Sequence, residues 1–372
     1  MVIVAYLIPV IACFALGVLS RWHTEWLTYF WLILVGEGVT GSLHYYFYRN
    51  RTKVAEYLGS IVTCIEHVDE WTELRERKEL RTDSNGKTYT VTIIDEIYHP
   101  EEYRFHTSLG HHFKTNVNFF FHVFNKWDRP HRVRTIRGTH IKSGRRNVEY
   151  KYLSDEVIIG IEDAYKYIPI SEKNYYTNKI INSNSVFNHE RITREEARSI
   201  GLYEWPDIDS YYDVPAILSG DIVISDDIDW EYRRFNAMIA SRRQMRLFVL
   251  LFPADRGIEV AMKQKAYWNG GNKNEFIVCL GVHGRTFVRW CYCFSWADEN
   301  TVEVETAEWF SKHPELDLRR FLEWFKTEHL KWQRKEFKDF DYIQVRLELW
   351  QYLCIIGVGV VVCVLICALL CL

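Results

Sequence analysis

Long apolar stretches lie at both ends of the 372-residue chain, and a region of mixed polar and apolar positions separates them. Residues 2–20 and 349–372 carry no charged side chain, and residues 27–48 carry only Glu37. A helix of ~20 apolar residues crosses a hydrocarbon core about 30 Å thick. The pattern therefore predicts three transmembrane helices, a helical hairpin at residues 2–48 and a C-terminal helix at residues 349–372.

Basic residues beside these stretches set the expected orientation. Arg49, Arg51 and Lys53 follow the second helix, and Lys and Arg are again frequent in the residues before the third. Because such basic flanks stay on the cytoplasmic side, we expect an integral membrane protein whose intervening region is cytoplasmic. Gly357 and Gly359 would let the third helix approach the hairpin closely. The expected partners are the lipid bilayer and a protein partner or second copy bound through the transmembrane helices.

Glu37 is an ionisable residue in the middle of an apolar stretch, next to Gly36 and Gly38. Such a residue costs several kcal/mol at membrane depth unless it is paired, protonated or hydrated. One interpretation is an intramembrane polar site in a transport complex. The other is a shifted second helix that leaves Glu37 near the membrane interface, and the sequence leaves both open.

The soluble part is predicted to begin with a β-rich region at residues 54–165. Val54–Val68 has apolar residues at helical spacing, so it predicts a helix that continues from the membrane. Asn85 and Gly86 form a typical hairpin turn. Strands are predicted at 88–97, 116–125, 148–153 and 157–161.

Two further regions follow, a connector at residues 166–220 and an α/β sandwich domain at residues 221–345. The connector contains one predicted short helix, Thr193–Ile200, which Thr193 would cap. The sandwich is predicted to run helix, strand, helix, strand, strand, helix, helix, with the last helix at residues 317–335. Arg246–Phe252 and Glu275–Leu280 are continuous apolar runs, typical of strands buried on both faces. The predicted fold class is therefore an α+β membrane protein.

The second soluble region resembles the TPM domain family in the order of its elements. The likeness rests on the helix before Leu247–Phe252, the crossover helix, the glycine-containing turn Asn269–Asn274, the strand after it and the C-terminal membrane helix. TPM domains are membrane-associated, and some are phosphatases while others act in photosystem repair or receptor assembly. The resemblance implies a divalent-cation-dependent hydrolase, with Asp255 and Asp298 as its nearest acidic residues. TPM domains usually have a cleaved signal and face away from the cytoplasm, unlike the topology expected here.

Other groups could bind a cation. Asp226 and Asp227 belong to an acidic run whose carboxylates suit Ca²⁺ or Mg²⁺, although acids at a helix start also serve as caps. The histidines between His67 and His140 match no standard metal-binding spacing. Cys291 and Cys293 would share one strand face. The metal and the cofactor stay unknown.

The chain has no phosphate-binding loop, nucleophile elbow, dinucleotide fingerprint or kinase signature. Its net charge of −3 gives no field that would attract nucleic acid, which we exclude as a partner. We expect a non-catalytic, membrane-anchored interaction, scaffold or assembly protein. The alternatives are a TPM-like membrane-bound hydrolase and a transport-complex subunit that uses Glu37.

Overall fold

The computed structural model describes most of the chain as a mixed α+β protein. The described residues are 2–19, 26–127, 132–136, 146–152, 167–183, 190–207, 214–284, 286–328 and 331–371. The helices are α1 (Val2–Leu19), α2 (Trp26–Thr52), α3 (Val117–Lys126), α4 (Arg194–Ser199), α5 (Asp226–Arg243), α6 (Glu259–Tyr267), α7 (Thr301–Lys312), α8 (Leu318–Glu328) and α9 (Leu349–Cys371). The strands are β1 (Lys53–Val68), β2 (Trp71–Thr82), β3 (Thr88–His99), β4 (Glu102–Thr107), β5 (His112–Thr115), β6 (Arg132–Ile136), β7 (Arg146–Tyr152), β8 (Pro169–Thr177), β9 (Ile217–Leu218), β10 (Arg246–Pro253), β11 (Glu275–His283) and β12 (Phe287–Ser295). The strand predicted at 157–161 lies outside the described residues.

One helix in the described residues is long and apolar enough to cross a membrane, with its span at Leu349–Ile366 in α9. In the N-terminal stretch the described apolar segment is shorter, Ile3–Ala12. The prediction of three spanning helices is therefore supported for α9 and not for α1 or α2. In α2, three charged residues, Glu37, Arg49 and Arg51, make the helix less apolar than α9.

The three terminal helices nevertheless pack against one another. A side-chain carbon added at Gly359 of α9 would lie 2.8 Å from Cγ of Pro9 in α1 and 3.0 Å from Oγ1 of Thr40 in α2. Because glycine alone permits this approach, the predicted packing of Gly359 against the hairpin is confirmed. At Gly357 nothing lies within 4 Å.

The predicted helix at Val54–Val68 is wrong, because these residues form the central strand of a six-stranded sheet. β1 pairs with β4 and β7 along its second half and with β8 along its first half. The sheet order is β5-β4-β1-β7-β6, with β8 beside β1. Both faces of β1 are covered, so its apolar residues show no alternation that would indicate a strand. Since β8 lies in residues 166–220, the predicted connector contributes a strand to this sheet.

The predicted strand at residues 116–125 is also wrong, because Val117–Lys126 forms α3. Asn116 caps this helix, and its side chain accepts a hydrogen bond from the backbone N–H of Phe119 at 2.8 Å. Phe119, Phe120 and Val123 are buried at helical spacing against the six-stranded sheet. By contrast, the predicted hairpin turn is confirmed, because Gly86 has a φ of +78° and β2 pairs with β3 around it.

The second sheet matches the predicted element order, with α5, β10, α6, β11, β12, α7 and α8 in sequence. Its strand order is β12-β11-β10-β9, where β9, β10 and β11 are parallel and β12 is antiparallel. The α8 helix ends at Glu328, earlier than predicted. One face is covered by α5, α7 and α8, and the other by α4, α6 and Tyr57 of β1. Tyr57 therefore places a residue of the first sheet inside the core of the second.

Candidate functional site

The four acidic residues predicted as cation ligands lie at opposite edges of the second sheet. Asp226 and Asp227 are in the first turn of α5, and Asp255 follows β10, so all three belong to the carboxyl edge of the parallel strands. Asp298 follows the antiparallel β12, which ends at the other edge, roughly 25 Å away for a strand of this length. All four are exposed. The strand directions therefore place Asp255 and Asp298 at different edges of the sheet.

Asp229, the last acid of the run that begins at Ser225, has a structural role. Its Oδ1 accepts hydrogen bonds from the backbone N–H groups of Ala216 and Ile217, each at 2.9 Å. Its Oδ2 accepts one from Nε of Arg233 at 2.6 Å. Asp229 thus holds the start of β9 against α5. In the described residues no group of three or more His, Cys, Asp or Glu side chains is arranged to hold a metal ion.

Several of the histidines between His67 and His140 contact carboxylates. His67 and Glu101 lie 2.6 Å apart, and His111 and Glu172 also lie 2.6 Å apart. Cys291 and Cys293 share one strand face, as predicted, with their Sγ atoms 3.8 Å apart. His67 also lies 3.8 Å from a carboxylate oxygen of Asp69 and 3.8 Å from one of Glu149, so three carboxylates neighbour its ring.

Two buried charged residues, Glu275 and Arg246, lie between the two sheets at the amino edge of the parallel strands. The sequence alone did not predict them. Glu275, at the start of β11, is fully buried. Its carboxylate accepts hydrogen bonds from Nε1 of Trp205 and Nδ2 of Asn272, each at 2.9 Å, and from the Asn272 backbone N–H at 2.8 Å. Burial raises the pKa of Glu275, although these hydrogen bonds and the charge of Arg246 oppose the rise.

Arg246, at the start of β10, supplies the positive charge of this group and is 1% exposed. Its guanidinium donates to Oγ of Ser171 in β8 at 2.7 Å and to the carbonyl of Val214 at 3.3 Å. Burial lowers the pKa of Arg246 to about 10. A charge this deeply buried needs its hydrogen bonds, so Arg246 ties β8 of the first sheet to β10 of the second.

A second buried carboxylate, Glu56 of β1, extends this junction. It lies 3.3 Å from Nζ of Lys273 and accepts a hydrogen bond from Nδ2 of Asn174 at 3.2 Å. Burial raises its pKa, and Lys273 opposes the rise. Ligands of parallel sheets bind at the carboxyl edge, whereas this group lies at the amino edge and between sheets. Its geometry therefore serves to fasten the two sheets together.

Residues at the ends of α2 and α9 meet in a polar cluster that we call the anchor node. It consists of Arg51, Asn182, Glu348 and Gln351. Arg51 forms an ion pair with Glu348 at 2.7 Å and donates to Oδ1 of Asn182 at 3.2 Å. The Asn182 amide donates back to the Arg51 carbonyl at 2.6 Å, and the Gln351 side chain caps the backbone N–H of Glu348 at 2.9 Å. The node thus joins α2, α9 and the segment after β8.

A groove of about 660 Å³ runs between α7 and α8. Trp309, which is 7% exposed, and the partly buried Trp324 line it with their ring centroids 5.7 Å apart, and the ring of His313 stacks on Trp309 at 4.7 Å. Charged side chains of both signs surround these rings, namely Glu305, Glu308, Lys312, Arg320, Glu323, Glu328 and Lys331. Aromatic centres with charged rims are typical of surfaces that bind other proteins.

Glu37 lies on the same face of α2 as Gly41, where an added side-chain carbon would be 4.0 Å from the hydroxyl of Tyr6 in α1. Its Oε1 is buried without a hydrogen-bond partner among the described residues. Two turns further along α2, His44 hydrogen-bonds through Nδ1 to the hydroxyl of Tyr6 in α1 at 2.9 Å. Glu37 is thus a partly buried acid on α2, two helical turns from the Tyr6–His44 pair.

No family model matches the chain, and no curated protein or solved structure is significantly similar to it. The resemblance to TPM domains is therefore one of element order alone.

Proposed function

We propose that the protein is a membrane-anchored interaction or scaffold protein, in which α1, α2 and α9 hold the folded region at a bilayer surface. The anchor node carries this proposal, because it joins both membrane-proximal helix ends to the folded part at one point. The ion pair between Arg51 and Glu348 links residues near opposite ends of the chain. A protein fastened in this way presents a defined face to its partners.

The connection between α2 and β1 supports a fixed orientation. The helix ends at Thr52 and the strand begins at Lys53, so no linker separates them. Tyr45, Tyr46 and Trp350 have exposed side chains near the same end of the helix cluster. Tyr and Trp are enriched where membrane helices meet the aqueous interface, so these rings fit a bilayer boundary just outside the node.

The groove between α7 and α8 is the surface that we assign to partner binding. Trp324, partly buried and packed on the core residue Trp309, provides a large ring of the kind that dominates binding energy at protein interfaces. A photocrosslinking amino acid at Trp324 should form protein adducts in native membranes. The matched control is the same amino acid at Val304, which is 65% exposed on α7 and does not line the groove. If adducts form equally at both positions, or at neither, the groove is not the partner-binding surface.

Anchoring and orientation are tested on membranes that contain the full chain. We expect the protein to stay in the pellet after alkaline carbonate extraction and its region between α2 and α9 to be cleaved by protease only from the cytoplasmic face. Complete extraction would refute anchoring. Cleavage only from the other face would reverse the orientation but leave the anchor intact.

Charge reversal tests the node itself. Arg51→Glu and Glu348→Arg should each increase protease cleavage at residues 346–349, and the double reversal should restore protection because it re-forms the ion pair. The exposed pair Arg319 and Glu231, 3.1 Å apart, is the matched control, and its reversal should leave this cleavage unchanged. Equal protection in all variants would show that the node does not fasten the anchor.

A second candidate function, a subunit of a transport complex, is favoured by the buried Oε1 of Glu37, which has no hydrogen-bond partner in the part of the chain that the structure describes. Intramembrane acids commonly mark ion or proton pathways. Glu37→Gln should then change ion flux in proteoliposomes that contain the native complex. Unchanged flux with unchanged assembly would leave only the interaction role.

A further inference from the structure

The hairpin of β2 and β3 forms a sheet of its own. Its strands pair from Trp71 opposite His99 to Thr82 opposite Thr88, and among the described residues no third strand joins them. At ~3.3 Å per residue the hairpin is about 40 Å long. Isolated two-stranded hairpins are marginally stable in water, and three or more strands are usually needed. The outer edge of β2 is therefore a place where another strand would stabilise the fold.

The sequence of β2 is complementary to its own reverse, with Arg77 at the centre. Residues at equal distances before and after Arg77 are either charges of opposite sign or the same uncharged residue, Leu with Leu and Thr with Thr. The matched pairs are Glu76 with Lys78, Arg75 with Glu79, Leu74 with Leu80, Glu73 with Arg81 and Thr72 with Thr82. Two copies of β2 placed antiparallel, with residue i opposite residue 154 − i, would make all of these matches twice.

Symmetry restricts the registers that two copies can adopt. The two-fold axis of an antiparallel pair is perpendicular to the sheet and passes between a residue and its own copy, so each pairing centres on one residue. A centre at Glu76 would place Arg75 opposite Arg77 and Glu73 opposite Glu79. A centre at Lys78 would place Arg75 opposite Arg81. Like charges directly opposite are destabilising, so the register centred on Arg77 is favoured over both neighbours.

The central residue would face its own copy, which would bring two positive charges together. In the hairpin, Nε of Arg77 already lies 3.3 Å from Oδ2 of Asp95 on β3. Each copy would therefore bring one carboxylate with its guanidinium, and the centre would hold two Arg and two Asp side chains with no net charge. This removes the main repulsion that the register would otherwise create.

We propose that a second copy of this chain pairs with β2 through its own β2, forming a four-stranded antiparallel sheet in the order β3-β2-β2-β3. Charges on an edge strand normally prevent such pairing. In β2 the charges instead favour pairing with a second β2, because an antiparallel neighbour must carry the opposite charge at each facing position. A second copy of β2 meets this condition. The pairing does not depend on the proposed anchoring role, since it uses neither the helix cluster nor the groove.

Charge reversal of one matched pair gives the sharpest test, made on the full chain in detergent with the dimer dissociation constant as the measurement. Glu76→Lys places Lys opposite Lys78 twice, and Lys78→Glu places Glu opposite Glu76 twice. Each should weaken the dimer about tenfold or more, and the double variant should return to within about threefold of the original. A monomeric parent protein, a strand from another protein on β2, or a double variant as weak as either single would overturn the proposal.

Cysteine crosslinking tests the register. Arg77→Cys should crosslink to its own copy under mild oxidation, because facing side chains in a sheet lie about 5 Å apart. Thr82→Cys is the matched control on the same strand. In the proposed register its copy lies ten positions along the strand, roughly 33 Å away, so it should not crosslink above the parent protein. Crosslinking at position 82 without crosslinking at position 77 would refute the register.

Discussion

Glu303 offers a test of how burial in the second soluble region controls stability. It lies on α7, and its Oε1 is buried without a hydrogen-bond partner among the described residues. Burial raises the pKa of Glu303 from 4.5 to about 7, against the attraction of Lys265 and a hydrogen bond with the Ser295 backbone. The folded protein therefore holds this side chain protonated at pH values where the unfolded chain would ionise it.

The sign of the effect on stability follows from this difference. Below about pH 4.5 both states are protonated and the favourable contribution of Glu303 is complete. As the pH rises towards about 7, only the unfolded state loses its proton, so stability falls. At ~1.36 kcal/mol per pKa unit the total loss is about 3 kcal/mol. Above about pH 7 the loss is complete and the dependence levels off.

Glu303→Gln removes this titration while keeping the size of the side chain. The variant should gain up to about 3 kcal/mol relative to the parent protein between pH 4.5 and pH 8, or about 5 °C in melting temperature. Thermal unfolding of the full chain in detergent across this range is the assay. Glu299→Gln, the same change at an exposed position, should show no such gain. If the melting curves of Glu303→Gln and the parent shift in parallel with pH, Glu303 is not held neutral by burial and the reasoning fails.

Two further predictions concern the junction between the sheets. In Gly59→Ala the new carbon would lie 2.3 Å from the backbone oxygen of Asn236, so α5 and β1 must separate, and we expect a loss of ~1–3 kcal/mol in thermal unfolding. Gly38→Ala is the matched control, because nothing lies within 4 Å of the added carbon, and its free energy of unfolding should change little. Arg246→Met removes a buried charge that opposes the raised pKa of Glu275, together with its hydrogen bonds to Ser171 and Val214, and should lower the free energy of unfolding by about 3–5 kcal/mol. Adding Glu275→Gln should recover part of that loss, and an equal loss in the double variant would show that the two charges do not interact.

The sequence predicted the elements whose signals are local. Thr193 caps α4 through a hydrogen bond from the Glu196 backbone, as its spacing indicated. The buried strands β10 and β11 were visible as short apolar runs, and Asn85 and Gly86 marked the hairpin turn. In each case neighbouring residues carry the whole signal, so one sequence is enough to recognise the element.

The errors arose where long-range packing decides the structure. β1 has apolar residues at helical spacing, but its partners β4, β7 and β8 supply the hydrogen bonds that make it a strand. For α3, residues 116–125 were predicted as a strand, although Asn116 at the cap position was a local helix signal. The junction of Glu56, Arg246 and Glu275 could not be predicted, because its charges come together only after both sheets form.

The pairing of β1 also sets an order of events during synthesis. The first half of β1 follows α2 directly, yet its partner β8 comes much later, with Lys53 opposite Thr177. The nascent chain must therefore carry an incomplete central strand while the residues between β1 and β8 are made. The final step is later still, because Arg51 and Gln351 of the anchor node are 300 positions apart. The ion pair of Arg51 therefore forms only once Glu348 has been made, so the node closes after every strand of both sheets has been synthesised.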